Sequence, residues 1–145
     1  MTITKITVHC SASDFGDAQE IDKWHREKGF NRIGYHFVIL NGKRKGGGVY
    51  KSFEDGLLET GRGESEVGAH VKYKNTGNLG VCMIGNSKFS RLQFDTLVTL
   101  LRGLMKKYNI TPDNIYGHYE FDAGKTCPNF NIEALRAGLR SERRS

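Results

Sequence analysis

At 145 residues, with 37% hydrophobic and 26% charged side chains and only 2 Pro, the chain has the composition of one soluble globular domain, which excludes disordered and fibrous classes. Its net charge of +6 favours polyanionic partners, whether nucleic acid, anionic lipid or an anionic cell wall, without choosing among them. Three cysteines without a disulfide-framework spacing, no apolar run of the ~18 residues that a membrane span needs and no signal sequence predict a protein made in a reducing cytoplasm without structural disulfides.

Ile3 to Val8 reads as a strand, with Ile6 and Val8 on one face and Thr7 and His9 on the other. Cys10 returns to the Val8 face, where a small buried thiol is expected. After a polar loop from Ser11 to Gly16, Asp17 and Glu20 have the form of an N-cap and its capping-box partner, and Gly29 supplies a stop. The spacing predicts a helix over Ala18 to Lys28. Ile21 and Trp24 share its apolar face, which assigns Trp24 to the core and not to a substrate platform, and His25 beside it to structure. Gly34 to Leu40 predicts a central strand ending at Asn41-Gly42, a two-residue hairpin signal. Its alternation sets Tyr35, Phe37 and Ile39 against His36, Val38 and Leu40, so Tyr35 and His36 face one site only if the strand bulges.

Lys43 to Gly56 is basic and glycine-rich, and Val49 to Phe53 is the one stretch in it with the character of a short strand. Gly46-Gly47-Gly48 lacks the Lys-Ser/Thr ending and following helix of a phosphate loop and reads as a surface excursion. Lys43 to Lys45 and the tail residues Arg136, Arg140, Arg143 and Arg144 read as solvated surface. Turn-rich segments at Gly61-Arg62-Gly63 and Gly68-Ala69-His70 precede Leu79 to Ile84, a continuous apolar run of buried-strand type with Cys82 in the core. Ser90 and Gln93 open a helix whose Phe94, Leu97, Val98, Leu101, Leu104, Met105 and Tyr108 form one long stripe, ended by Asn109 and Pro112. Asn114 to Gly117 predicts a short strand that delivers His118, and Asn131 caps a last helix carrying Ile132, Leu135 and Leu139, with residues 141–145 as a disordered tail.

The stretch from Tyr116 to Pro128 carries the chemistry, because His118, Lys125 and Cys127 lie in one short loop. Imidazole nitrogen and thiolate sulfur are ligands that Zn²⁺ prefers, and a catalytic zinc takes three protein ligands with a fourth position open. The third ligand has to come from elsewhere, and His9 is the best-placed candidate. A cysteine hydrolase with Cys127 as nucleophile and His118 as base is the competing reading, but such thiols are commonly activated at a helix N-terminus and Pro128-Asn129-Phe130 starts none. A nucleic-acid module would need aromatics interleaved with basic residues on a sheet face, or a basic recognition helix, and neither stands out.

With these elements in place, the sequence resembles the zinc-dependent N-acetylmuramoyl-L-alanine amidases of the phage lysozyme type, which share a fold with peptidoglycan-recognition proteins. The resemblance runs in order through Val8-His9-Cys10-Ser11-Ala12, Trp24-His25, Gly34-Tyr35-His36-Phe37, Gly61-Arg62, Val67-Gly68-Ala69-His70, Gly80-Val81-Cys82, Gly117-His118-Tyr119-Glu120 and Lys125-Thr126-Cys127-Pro128. It implies an α/β (α+β) fold over residues 1–145, a single domain with a mixed central β-sheet flanked by helices and a zinc at the floor of an open groove. By position it implies one zinc per chain on His9, His118 and Cys127, with Tyr35 and Lys125 as catalytic residues and His70 near the substrate. The activity implied is hydrolysis of the amide between N-acetylmuramic acid and L-alanine in bacterial peptidoglycan, by a monomeric endolysin that leaves the host cytoplasm once the membrane is permeabilised. A non-catalytic peptidoglycan-binding module of this fold is disfavoured, because Cys127 is present. Residues 43–55 look like an insertion, and Thr76-Gly77-Asn78 also departs from the usual pattern. Some phage relatives bind and inhibit RNA polymerase through a surface that includes a longer N-terminal arm. Here only residues 1–8 precede His9 and most belong to the first strand, so strong polymerase inhibition is not expected.

Overall fold

In a computed structural model, which describes residues 2–141, five strands form one sheet: β1 (Lys5–Cys10), β2 (Phe37–Asn41), β3 (Asp55–Thr60), β4 (Asn78–Met83) and β5 (Ile115–Gly117), in the spatial order β3-β2-β4-β1-β5. β1 lies between β4 and β5 and runs parallel to both, β2 is parallel to β4, and β3 is antiparallel to β2. The sheet is therefore mixed, as expected. Three helices flank it: α1 (Ala18–Glu27), α2 (Arg91–Tyr108) and α3 (Ile132–Ser141).

The period of two sorts the strands into two faces. Ile6, Val8, Phe37, Ile39, Leu79, Val81 and Met83 pack with Leu97, Leu101 and Leu104 of α2 and Ile132 and Leu139 of α3. Fully burying an aliphatic side chain of this size is worth roughly 1.5–3 kcal/mol, so this layer dominates the stability. On the opposite face Val38, Leu40, Cys82 and Ile84 meet Ile21 and Trp24 of α1. There β1 offers Thr7 and His9, both buried, instead of aliphatics.

The helix ends follow the cap residues. Asp17 Oδ1 accepts from the Glu20 amide at 2.8 Å, and Ser90 and Gln93 exchange two hydrogen bonds of 3.0 Å in a full capping box. Asn109 stops α2 in the left-handed conformation, with φ 56°. Asn131 Oδ1 accepts from the Ala134 amide at 3.0 Å. α3 runs to Ser141, so residue 141 is helical and not part of a tail; residues 142–145, with Arg143 and Arg144, lie outside the described residues.

Three sequence expectations are corrected. Asn41-Gly42 does not close a two-residue hairpin: Asn41 Oδ1 accepts from the Lys43 amide in a local side-chain turn, and the chain returns only at Asp55, opposite Asn41. Val49 to Phe53 holds no strand. Ser52–Glu54 is a 3₁₀ turn, and the strand that pairs with β2 is the acidic Asp55–Thr60. The basic residues are also not plain solvated surface. Arg44 reaches Glu54 at 2.6 Å, Glu59 at 2.7 Å and Asp17 at 3.0 Å. Arg136 donates to the Ile115 carbonyl at 2.7 Å and pairs with Glu120 at 2.9 Å, which ties α3 to the end of β5.

Candidate metal centre and groove

The parallel register between β1 and β5 builds the centre. Val8 pairs with Gly117, so the next residue on each chain, His9 and His118, stand side by side with ring centroids 4.6 Å apart. Cys127 arrives on the following loop. Its carbonyl accepts from the Tyr119 amide at 3.0 Å, and its Sγ accepts from the Cys10 amide at 2.9 Å. One ligand atom from each of His9, His118 and Cys127 lies within 4.8 Å of the other two, and this is the metal-ligating group found among the described residues.

The donor set fits a zinc ion in kind as well as in spacing, since two imidazoles and a thiolate leave one tetrahedral position open. Burial, with His70 and His118 adding to it, keeps His9 neutral far below its usual range, and burial followed by Lys125 lowers His118. Neutral imidazole is the form that binds metal. Contact with the Cys10 side chain and burial push the Cys127 thiol up, while the Cys10 amide aimed at its sulfur acts against both. A bound cation deprotonates such a thiol outright.

A buried chain of hydrogen bonds fixes which nitrogen His9 can offer. His70 Nε2 lies 2.8 Å from the Asn78 carbonyl, which can only accept, so Nε2 carries the proton and Nδ1 of the neutral ring is an acceptor. Burial keeps His70 neutral, lowering it to about 4. His9 Nε2 lies 2.9 Å from that Nδ1 and must be the donor, which leaves His9 Nδ1 with the free lone pair. The His70 ring lies against the β4 backbone: a Cβ at Gly80 would come within 2.7 Å of it, and one at Gly68 equally close. Asn78 is itself locked, accepting from Thr7 Oγ1 at 2.8 Å and donating to the Lys74 carbonyl at 2.9 Å. His70 thus lines the groove, with both of its ring nitrogens engaged within the protein.

Tyr35 and His36 come before the paired residues of β2, and the strict alternation does not reach them. Tyr35 packs with the Val38 side of the sheet, its ring 5.0 Å from His9, while the His36 ring stands 5.9 Å from His70. Both therefore turn to the face that carries His9. His36 is structural: its Nδ1 accepts from the Gly80 amide at 3.0 Å and its Nε2 donates to the Glu66 carbonyl at 2.7 Å. Burial, with the nearby thiols of Cys82, Cys127 and Cys10, raises Tyr35 well above the usual phenol range, so its hydroxyl stays protonated. Lys125 lines the same groove, and its ammonium has no hydrogen-bond or ion-pair partner among the described residues. Cys10 is buried as expected, yet it sits beside Cys127 and Asn129 and outside both apolar clusters.

Comparison with known proteins shows the family. Residues 1–130 match the family described as Amidase_2, N-acetylmuramoyl-L-alanine amidase. The chain belongs to this amidase family. It is 36% identical to the endolysin of Escherichia phage T7 over 139 residues, covering 88% of this chain and 82% of that protein. The endolysin of Klebsiella phage KP32 is 34% identical over 142 residues, covering 90% of this chain and 83% of that one. Among solved structures, the N-acetylmuramoyl-L-alanine amidase LysC from Clostridium intestinale superposes with a TM-score of 0.79 at 29% identity, over 97% of this chain and 87% of its own. Drosophila PGRP-LB superposes with a TM-score of 0.69 at 22% identity, over 98% of this chain and 82% of its own, which extends the likeness in fold to peptidoglycan-recognition proteins. The amidase groove also uses parts that the sequence reading left aside: the Cys10 amide on Cys127, and Asn78 behind His70. A buried Asn at the head of an apolar strand was the available signal for the second. Nothing in the sequence signals a main-chain donor.

Proposed function

We propose that this amidase is a phage endolysin that cleaves the amide between N-acetylmuramic acid and L-alanine in host peptidoglycan, with one zinc held by His9, His118 and Cys127. The observation that carries this reading is the convergence of those three ligand atoms at the floor of the groove in a chain of the amidase family. A zinc bound there supplies Lewis acidity towards water and the scissile carbonyl at neutral pH.

The remaining roles belong to side chains. The Lys125 ammonium, unpaired and in the groove, stabilises the oxyanion that develops as the amide carbon becomes tetrahedral. The Tyr35 hydroxyl, un-ionised at neutral pH, donates a hydrogen bond to the attacking water or to the same oxyanion and does not act as a base. His70 takes no substrate contact through its ring nitrogens; it holds His9 in the tautomer that offers Nδ1. Among the described residues no helix is long and apolar enough to cross a membrane. On this reading the enzyme is made in the host cytoplasm and reaches the wall once the membrane has been permeabilised.

Metal analysis coupled to peptide release from purified peptidoglycan tests the proposal. One zinc per chain and liberation of peptides with a new L-alanine amino terminus are expected. Cys127→Ser replaces a soft thiolate with a poor ligand, so zinc content and release fall together. A Ser variant with full zinc and full activity would remove Cys127 from the site.

A further inference from the structure

The groove contains a second group of donors outside the metal and catalytic sets. His25, Lys28 and Phe30 line its wall at the end of α1, apart from the loop that carries Lys125. His25 Nδ1 accepts from the Gly34 amide at 2.9 Å, so the neutral ring carries its proton on Nε2, for which no partner exists among the described residues. Burial, with Lys28 and Arg62 close by, lowers His25 to about 4 and keeps it in that form. Phe30 packs on the His25 ring at 4.9 Å and Tyr35 at 5.3 Å, which hold its plane between them.

Lys28 is exposed, and its ammonium has no ion-pair or hydrogen-bond partner among the described residues. The neighbouring Arg62 does not compete with it for a ligand, because its guanidinium is engaged by the carbonyls of Ile33 and Val67 and by Asn31. Among the described residues no Asp or Glu lines the groove. A wall with one fixed neutral N–H, one exposed cation and no anion among the described residues is complementary to a carboxylate, which accepts from both at once.

We propose that Lys28 and His25 Nε2 form a carboxylate-recognising subsite that selects peptidoglycan stems with a free carboxylate on the residue following L-alanine. This rests on the amidase reading above and adds a substrate preference to it. On this proposal the subsite takes the peptide side of the scissile bond and acts through binding, so its effect falls on KM more than on kcat.

The test uses the zinc-loaded protein and two muramyl dipeptides that differ only in an α-carboxylate or an α-carboxamide on the second residue. Wild type should prefer the carboxylate by roughly fivefold in kcat/KM, the scale of one solvent-screened pair with a charge-assisted hydrogen bond, and the preference should shrink with added salt. Lys28→Gln should bring the ratio to about one, Lys28→Arg should keep it, and Lys28→Glu should reverse it, which a loss of packing would not do. A wild type without preference, or a Gln variant that keeps it in full, overturns the subsite while leaving the amidase reading intact. If wild type hydrolyses neither dipeptide nor whole peptidoglycan, the amidase reading fails and the subsite falls with it.

Discussion

Arg44 sits among Asp17, Glu54 and Glu59, and every charge in that cluster faces an opposite one within 3.0 Å. The groove is arranged the other way. Among the described residues His9 keeps a free lone pair on Nδ1, Lys125 an unpaired ammonium and His25 an unpaired N–H, with no carboxylate lining the wall. Both regions are polar and both lie where helices or strands begin or end. They differ in whether their bonding capacity is closed internally or left open towards a ligand. A closed cluster fixes the chain; an open one binds and reacts, and its groups are held in place by a second layer whose own bonds are complete. Asn78 and His70 supply that layer behind His9, as the Cys10 amide does behind Cys127.

The largest effect that separates the two regions is on turnover. On the proposed mechanism Lys125→Ala and Tyr35→Phe remove donors to the reacting atoms, and each should lower kcat by about 10²–10³ while zinc content and melting temperature stay close to wild type. Steady-state release from a soluble muropeptide, with metal analysis on the same samples, checks this. Zinc loss in either variant, or unchanged kcat in both, would show these side chains to be structural and would erase the contrast with Arg44.

A middle-sized effect is expected one layer back. His70→Ala leaves His9 Nε2 without its acceptor and frees the imidazole to adopt the wrong tautomer, so zinc affinity measured by chelator competition should fall about 10–100-fold. His70→Gln can donate to the Asn78 carbonyl and accept from His9, and should recover most of that loss. If the Ala variant holds zinc as tightly as wild type, the relay through His70 has no positioning role.

Much of this was legible in the sequence because it depends on local rules. Ser90 with Gln93, the three- and four-residue stripe of α2 and the apolar run at Leu79 to Ile84 predict their elements, and the structure agrees. His9 was already a candidate third ligand from its place at the end of the first strand, but its pairing with His118 needed the parallel register of β1 and β5, which no local pattern contains, and the full set came as an implication of resemblance. The edge strand was missed because Asp55-Gly56-Leu57-Leu58-Glu59-Thr60 alternates poorly and its pairing is set by Asn41 across a long loop. Basic residues misled for a related reason: formal charge counts Arg44 as surface, whereas its partners at 17, 54 and 59 are brought together only by the fold.

The smallest effects lie within the excursion and separate its fold-bearing part from its loose part. Val49 is 80% and Phe53 76% exposed, so their apolar surface is in water and contributes little to folding. Replacing both by Ser should shift stability by no more than about 0.5 kcal/mol. Arg44 belongs to the same loop, but its guanidinium balances three carboxylates, of which Asp17 is 7% and Glu54 13% exposed. Arg44→Met keeps much of the stem's packing and leaves those carboxylates facing one another. The cost should be about 2 kcal/mol, between the ranges for exposed and buried pairs, or roughly 5 °C in melting temperature. Neither change should alter zinc affinity, because the cluster has no partner in the groove. Thermal unfolding of the two variants beside wild type decides the matter. If the Ser pair costs as much as Arg44→Met, the excursion is held by apolar contact and the closed ion cluster is not what fixes it.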